Sequence, residues 1–199
     1  MKVSKEVYSP AEDSYLLEEC ILKEKLNGKK CLDLGTGSGI QGIAMLKSWA
    51  KELTCVDINP VALKESKKNI LNYVKNSKKE RTQIPGHPKP VISFKKSNLF
   101  SSLKKEKFDF IAFNPPYVPS DEVKWVDLDG GETGRETIDK FLSSFSTHLN
   151  KNGVLLLLIS SLNKPNEIKK KLKELGFSVK VVGKKKLFFE ELLVLRAKV

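Results

Sequence analysis

Short, dense apolar runs alternate with longer amphipathic stretches along most of the chain. Lys30–Leu34, Leu53–Val56, Val91–Phe94, Phe108–Phe113 and Val154–Ile159 are rich in branched and aromatic residues, which predicts buried strands. Between them, apolar positions recur at helical spacing. Ser9-Pro10-Ala11-Glu12 has the form of a capping box with proline at the first helical position. It predicts a helix carrying Leu16, Leu17, Cys20, Ile21 and Leu26 that stops at Asn27-Gly28. A second helix is predicted from Ile40 to about Ser48. A third, capped by Asn59-Pro60, carries Ala62, Leu63, Ile70, Leu71 and Val74. Thr133-Gly134-Arg135-Glu136 forms another capping box before Ile138, Phe141, Leu142, Phe145 and Leu149. Pro165 opens a lysine-faced helix ending at Leu175-Gly176. Two closing strands, about Phe177–Val182 and Leu187–Leu195, are joined through Gly183 with no helix between them.

This alternation predicts an α/β fold, one domain over residues 1–199. Its sheet has seven strands, mostly parallel and doubly wound, with an antiparallel hairpin at one edge. Residues 1–28 form an extra N-terminal cap helix. The polar, lysine-rich Lys75–Pro90 segment reads as a mobile loop, and Ser120–Gly131 as irregular and acidic. In such sheets ligands bind beyond the carboxyl ends of the strands, where the winding reverses.

The chemistry concentrates at two strand ends. Phe108–Phe113 breaks into Asn114-Pro115-Pro116-Tyr117. Two prolines fix two φ angles and remove two N–H donors. That leaves carbonyls and an asparagine amide in a rigid frame able to accept hydrogen bonds from a planar –NH2, with Tyr117 offering a flat face. Lys30–Leu34 runs into Gly35-Thr36-Gly37-Ser38-Gly39, a turn that lets a ligand approach the backbone closely. Asp57, at the end of the next strand, is placed for ribose hydroxyls. Gly37-x-Gly39-x-x-Gly42 also satisfies the dinucleotide fingerprint. Asp33 at the mouth of the first strand suits a cationic sulfonium better than a pyrophosphate. The Asn-Pro-Pro-Tyr loop has no use in hydride transfer. S-adenosylmethionine is therefore favoured over NAD.

The net charge of +12 comes almost wholly from lysine. It permits a ribosome or nucleic-acid contact, but the lysines are spread over every predicted helix rather than gathered in a stripe. Cys20, Cys31 and Cys55 lack metal spacing and read as small buried hydrophobes in a reducing cytoplasm. His87 and His148 suggest no metal site or triad. No apolar run is long enough for a membrane span, and no apolar leader stands at the start.

Val7-Tyr8-Ser9-Pro10-Ala11-Glu12-Asp13-Ser14, Leu32–Gly39, Asp57-Ile58-Asn59-Pro60, Asn114–Val118, Gly130-Gly131-x-x-Gly134-Arg135-Glu136 and Leu187–Leu192 together resemble class I S-adenosylmethionine-dependent methyltransferases. More narrowly, they resemble the HemK-like release-factor glutamine methyltransferases of the archaeal and eukaryotic branch. The resemblance implies methyl transfer to the side-chain amide of the glutamine in a release factor's Gly-Gly-Gln tip, leaving S-adenosylhomocysteine. It implies that Ser14, Asp33, Gly35 and Gly37 line the methionine half of the cofactor and that Asp57 holds the ribose, with Ile58, Leu99 and Asn114 also at the cofactor. Asn98 stands where an aspartate often meets the adenine amino group, which weakens that hydrogen bond. Asn114, Pro115, Pro116 and Tyr117 would be catalytic. A small zinc-ribbon activator would dock on the Val91–Phe94 edge strand. Rival functions are an adenine-N6 methyltransferase on DNA or RNA and an inactive cofactor-binding scaffold. The acidic run Asp121-Glu122…Asp127…Asp129 repels phosphates and favours a basic protein substrate.

Overall fold

A computed structural model describes residues 4, 6–77, 89–118 and 134–199. Seven strands form one sheet: β1 (Lys30–Leu34), β2 (Glu52–Asp57), β3 (Val91–Lys96), β4 (Phe108–Phe113), β5 (Leu149–Ser160), β6 (Ser178–Lys186) and β7 (Glu191–Lys198). Their order is β3-β2-β1-β4-β5-β7-β6. The first five run parallel, and β7 pairs antiparallel with both β5 and β6. The winding reverses between β1 and β4, whose neighbouring ends are Leu34 and Phe113. The glycine turn and the proline loop therefore leave the sheet side by side.

Each central strand is buried on both faces over most of its length, which is why its sequence is largely apolar, Asp33 in β1 being a buried exception. Its residues alternate between two cores. Cys31, Phe110, Ala112 and Leu156 face one core together with α1 (Glu12–Leu22), α2 (Ile40–Lys47) and α3 (Pro60–Asn76). Leu32, Ile111, Phe113 and Leu157 face the other, where α4 (Glu136–Leu142) and α5 (Pro165–Glu174) bring Phe141, Ile168 and Leu172.

Several element ends differ from the sequence pattern. The box at Ser9 does not cap α1; Ala11 is the N-cap and gives no side-chain bond. The helix stops at Leu22 because Lys23 and Glu24 donate to Cys20 O and Ile21 O, tightening the last turn. Leu26 is still buried, and Asn27 bridges to Ala50 instead of continuing the helix. After Leu142 the chain tightens into a 3-10 turn at Phe145–His148, so Leu149 opens β5 rather than closing a helix. Lys75 belongs to α3, while 78–88 of the expected loop lie outside the described residues, as do Thr133 and 119–133. Asn59 does cap α3, its Oδ1 accepting from Val61 N at 2.9 Å.

Gly183 is not the closing turn. It sits inside β6 where the register with β7 shifts, and the turn falls at 187–190. Glycine is needed there by contact: a Cβ would stand 2.6 Å from Cys20 Sγ on α1 and 3.2 Å from Leu16 Cδ1. Gly183→Ala should therefore destabilise the fold by about 1–3 kcal/mol through overpacking. Urea unfolding checks this; an unchanged midpoint would show that α1 yields freely.

Candidate active site

β1 ends against the glycine turn, with Gly35 in the left-handed region at φ 65. A Cβ on Gly35 would stand 3.4 Å from Phe113 Cε2 and 3.9 Å from Asn114 O, narrowing the gap between the two loops. Thr36 N donates to Val56 O at 2.9 Å, pinning the turn to the end of β2. The Asp57 carboxylate accepts from Gly37 N and from Asn59 N, each at 2.9 Å.

A crevice of about 490 Å³ opens beyond these strand ends. Gly35, Gly37, Asp57 and Ile58 line it from the β1 and β2 side, Asn98 and Leu99 from the segment after β3. Asn114, Pro115, Pro116 and Tyr117 line it from the end of β4, and Ser14 from α1. Asp33 is the exception. It is fully buried behind the turn and does not line the crevice. Its Oδ2 accepts from Thr36 Oγ1 at 2.6 Å and from Gly42 N at 2.9 Å. It holds the turn to the first residues of α2 instead of facing a ligand. Alternation in β1 explains this, since Asp33 shares the face of Cys31, toward α2, while Leu32 and Leu34 face the other core.

Burial pushes the Asp33 carboxyl up to about 7, with the Thr36 and Gly42 hydrogen bonds pulling the other way. In an unfolded chain an aspartate titrates near about 3.9. The folded value is the higher one, so Asp33's contribution to stability is fully present below about pH 4 and is lost as pH rises through about 7. Asp33→Asn keeps an acceptor and removes the charge. The parent should therefore lose stability between about pH 4 and 8 relative to this variant. Urea midpoints across that range check it; parallel curves would contradict it.

The most informative atoms surround Asn114. Its Nδ2 donates to Asp13 Oδ2 at 2.9 Å. Its Oδ1 is buried and has no hydrogen-bond partner. Asp13 is itself buried, and its Oδ1 accepts from Tyr8 Oη at 3.0 Å, Ser14 N at 2.6 Å and Ser14 Oγ at 3.2 Å. Gln41 Nε2 donates to Ser14 O at 3.0 Å and so ties α2 to the start of α1. Asp13 thereby fixes which way the Asn114 amide points, with nitrogen inward to the carboxylate and oxygen left free. An orphaned buried acceptor is uncommon and costs about 1–3 kcal/mol, so it marks a place that a ligand's donor would fill.

Sequence reasoning quoted Tyr8 and Asp13 within a motif but gave them no role. Thr36, Phe113, Glu136, Thr137 and Lys140 also line the crevice unforeseen. Lys140 is the single Lys or Arg among the described lining residues. Burial and the nearby Asp13 raise both the Tyr8 and the Tyr117 phenols well above their ordinary value, so both stay neutral. Arg135 is engaged elsewhere, donating to Glu167 Oε2 at 2.6 Å and Asp139 Oδ1 at 3.0 Å, so it serves the start of α4. No cluster of His, Cys, Asp and Glu suited to a metal occurs among the described residues. No helix among them is long and apolar enough to cross a membrane. Trp125 and the acidic run at 121–129 lie outside the described residues.

The methyltransferase small domain matches residues 7–189. The chain belongs to this family. A protein of Methanocaldococcus jannaschii, provisionally named as a protein N5-glutamine methyltransferase, is 41% identical over 99% of this chain and 94% of its own length. Methyltransferase HEMK2 of Homo sapiens is 32% identical over 86% of this chain and 79% of its own. Among solved structures, the E. cuniculi Mtq2-Trm112 complex is described as responsible for methylating the eRF1 translation termination factor. A chain of that structure superposes with a TM-score of 0.71 and 27% identity, covering 97% of this chain and 98% of its own.

Proposed function

We propose that the protein transfers a methyl group from S-adenosylmethionine to the side-chain amide nitrogen of a protein glutamine, that of the Gly-Gly-Gln tip of a translation release factor. The observation that carries this is the buried, unpartnered Oδ1 of Asn114, a residue that lines the crevice. The family and its glutamine-modifying relatives support the same reaction class.

The crevice fits the cofactor. Gly35 and Gly37 leave room against the turn, Asp57 offers carboxylate lone pairs to ribose hydroxyls, and Ile58 and Leu99 give apolar surface for a base. Ser14 sits at the end occupied by Asn114, and Asn98 can accept from an adenine amino group without charge assistance. With Asp13 and Asp57 lining the crevice and Lys140 the single Lys or Arg among its described lining residues, a cationic sulfonium is better suited than a phosphate. S-adenosylmethionine supplies a methyl group carried on positively charged sulfur and leaves as S-adenosylhomocysteine.

The chain's own residues deal with the acceptor. An amide nitrogen is a poor nucleophile because its lone pair is delocalised. Asn114 Oδ1 and the Pro115 carbonyl accept its two N–H groups, orient it, and favour the positive charge that builds on nitrogen. Pro116 keeps the loop rigid, and Tyr117 stacks on the amide plane. Such positioning supplies about 7–11 kcal/mol in favourable cases. The methylated nitrogen then sheds its proton to water, since a protonated amide is a strong acid, so the neutral Tyr8 and Tyr117 need not act as bases.

A small zinc-ribbon subunit is the partner expected on β3. That strand is one edge of the sheet, with Val91 exposed and Ile92 and Phe94 only half-buried. An uncovered apolar edge invites pairing. The protein acts in the cytoplasm as one domain over 1–199, and surface lysines are available for ribosome contact. The test is incubation with labelled S-adenosylmethionine, release factor and activator, followed by mass mapping. Label on the Gly-Gly-Gln glutamine is expected. Label confined to added DNA or RNA would reassign the enzyme to adenine.

A further inference from the structure

Two phenylalanines stand almost wholly in solvent. Phe188 is 91% and Phe189 87% exposed, and their rings meet edge to face at 4.6 Å. Single exposed apolar residues are ordinary, but adjoining ones at a functional rim are not.

Their place follows from the sheet. They lie in the turn between β6 and β7, and the first pairs of β7 set Leu192 opposite Ser160 at the carboxyl end of β5. β5 runs parallel to β4, where Phe113 sits opposite Leu157 just before Asn114. The turn therefore stands at the end of the sheet where the crevice opens. It is tied to the catalytic loop by a chain of hydrogen bonds. Leu187 N closes the turn onto Glu190 O at 2.8 Å, and Glu191 N donates to Ser161 Oγ at 3.0 Å. The Ser161–Asn163 turn is capped by Ser160, and Asn163 Nδ2 donates to Tyr117 O at 2.9 Å and Gly134 O at 3.0 Å. Two further exposed apolar side chains lie along this path, Leu162 at 54% and Val118 at 44%.

Charges of both signs stand beside the rings. Glu190 has no ion-pair partner among the described residues, and neither has Glu12. Both carboxylates help to raise the Tyr8 and Tyr117 phenols in the crevice, so their fields reach the site. Lys184–Lys186 stand exposed at the mouth end of β6, Lys186 opposite Glu191, so lysines precede the rings and carboxylates follow them.

We propose that the Phe188-Phe189 turn, with Leu162, Val118 and the free carboxylates of Glu190 and Glu12, is a docking rim for the protein substrate. It would grip an apolar segment that flanks the acceptor glutamine. The inference rests on the glutamine-methylation reading above and adds where the substrate's body is held. The hydrogen-bonded path from Glu191 to Tyr117 gives the rim a fixed distance from the acceptor pocket, so a residue held on the rings also positions the amide.

The test compares the parent with Phe188→Ser/Phe189→Ser and with Glu190→Lys on two substrates, full-length release factor and a short peptide holding only the Gly-Gly-Gln tip. For the full-length protein, KM should rise at least roughly tenfold in the double variant, as expected for loss of buried aromatic anchors. Glu190→Lys should raise it less. The peptide's kinetics and the Kd for S-adenosylhomocysteine should not change. Binding of the release factor to the S-adenosylhomocysteine complex, followed by calorimetry, should weaken in parallel with KM. Unchanged KM and binding for the full-length protein, with the parent active on glutamine, would overturn the docking rim alone. So would equal losses on protein and peptide, or a parental dimer that the double variant makes monomeric. A parent that methylates no protein glutamine would overturn the reading beneath it as well.

Discussion

Asn114→Ala should lower the rate of methyl transfer at saturating substrate by roughly 10²–10³, the cost of losing one well-placed polar group aimed at developing charge. The side chain has one atom fastened, Nδ2 on Asp13, and one buried atom left without a partner, Oδ1. Truncation removes the free acceptor, so the acceptor amide loses orientation and charge stabilisation together. Ser14, Gly35, Gly37, Asp57 and Ile58 are untouched, so the Kd for S-adenosylmethionine should move far less than turnover. Asn114→Asp sharpens the test. It sets a second carboxylate beside Asp13 at a contact that is 2.9 Å in the parent. Like charges that close cannot both ionise freely, so the variant should be impaired and its rate should depend on pH where the parent's does not. Single-turnover rates beside calorimetric cofactor binding separate these effects. Equal turnover in Asn114→Ala and parent would remove the assigned role.

The second large effect belongs to Asp13, a positioning residue. It holds the Asn114 amide, the Tyr8 hydroxyl and the first turn of α1 at once. A hydrogen bond to a charged group is worth about 1.5–3 kcal/mol. Asp13→Ala should therefore lower kcat roughly 10- to 10²-fold, since about 1.4 kcal/mol is a factor of ten. The loss has to run through Asn114. In the Asp13→Ala/Asn114→Ala double variant the two effects should fall well short of adding, because the group that Asp13 orients is already gone. Fully additive losses would mean that Asp13 acts by some other route. A lower unfolding midpoint of the same size as the kinetic loss would mean that it serves the fold alone.

How much of this was legible in the sequence depends on how local each signal is. β1, β4 and β5 were plain because a strand buried on both faces needs a largely apolar run. Alternation of strands and helices implied a reversal but not which strands flank it; the β1–β4 pairing is what brings Gly35 beside Asn114. Helix ends were less legible. Ser9 has the right residue type for a cap, yet the chain stays extended through Ala11 and the helix starts later. Gly183 reads as a turn residue on composition, but it is required by the approach of Cys20, a contact that sequence spacing does not express. The glycine, proline and strand-end carboxylate positions of the crevice were legible because such residues announce themselves, whereas Thr36, Phe113, Thr137 and Lys140 were not. Asp33 was assigned to the ligand because its place in the motif is conspicuous, whereas the pleat turns it inward onto Thr36 and Gly42. Asp13 was passed over for the opposite reason. It touches Asn114 across 101 positions, and only the fold makes the two neighbours.

The most direct measurement is a crystal structure of the protein with S-adenosylhomocysteine and a Gly-Gly-Gln peptide bound together. The glutamine side-chain nitrogen should lie about 2.7–3.2 Å from Asn114 Oδ1, filling the acceptor that stands free. A glutamine bound elsewhere, with Asn114 Oδ1 satisfied by water or turned to another protein group, would contradict the assignment of this crevice.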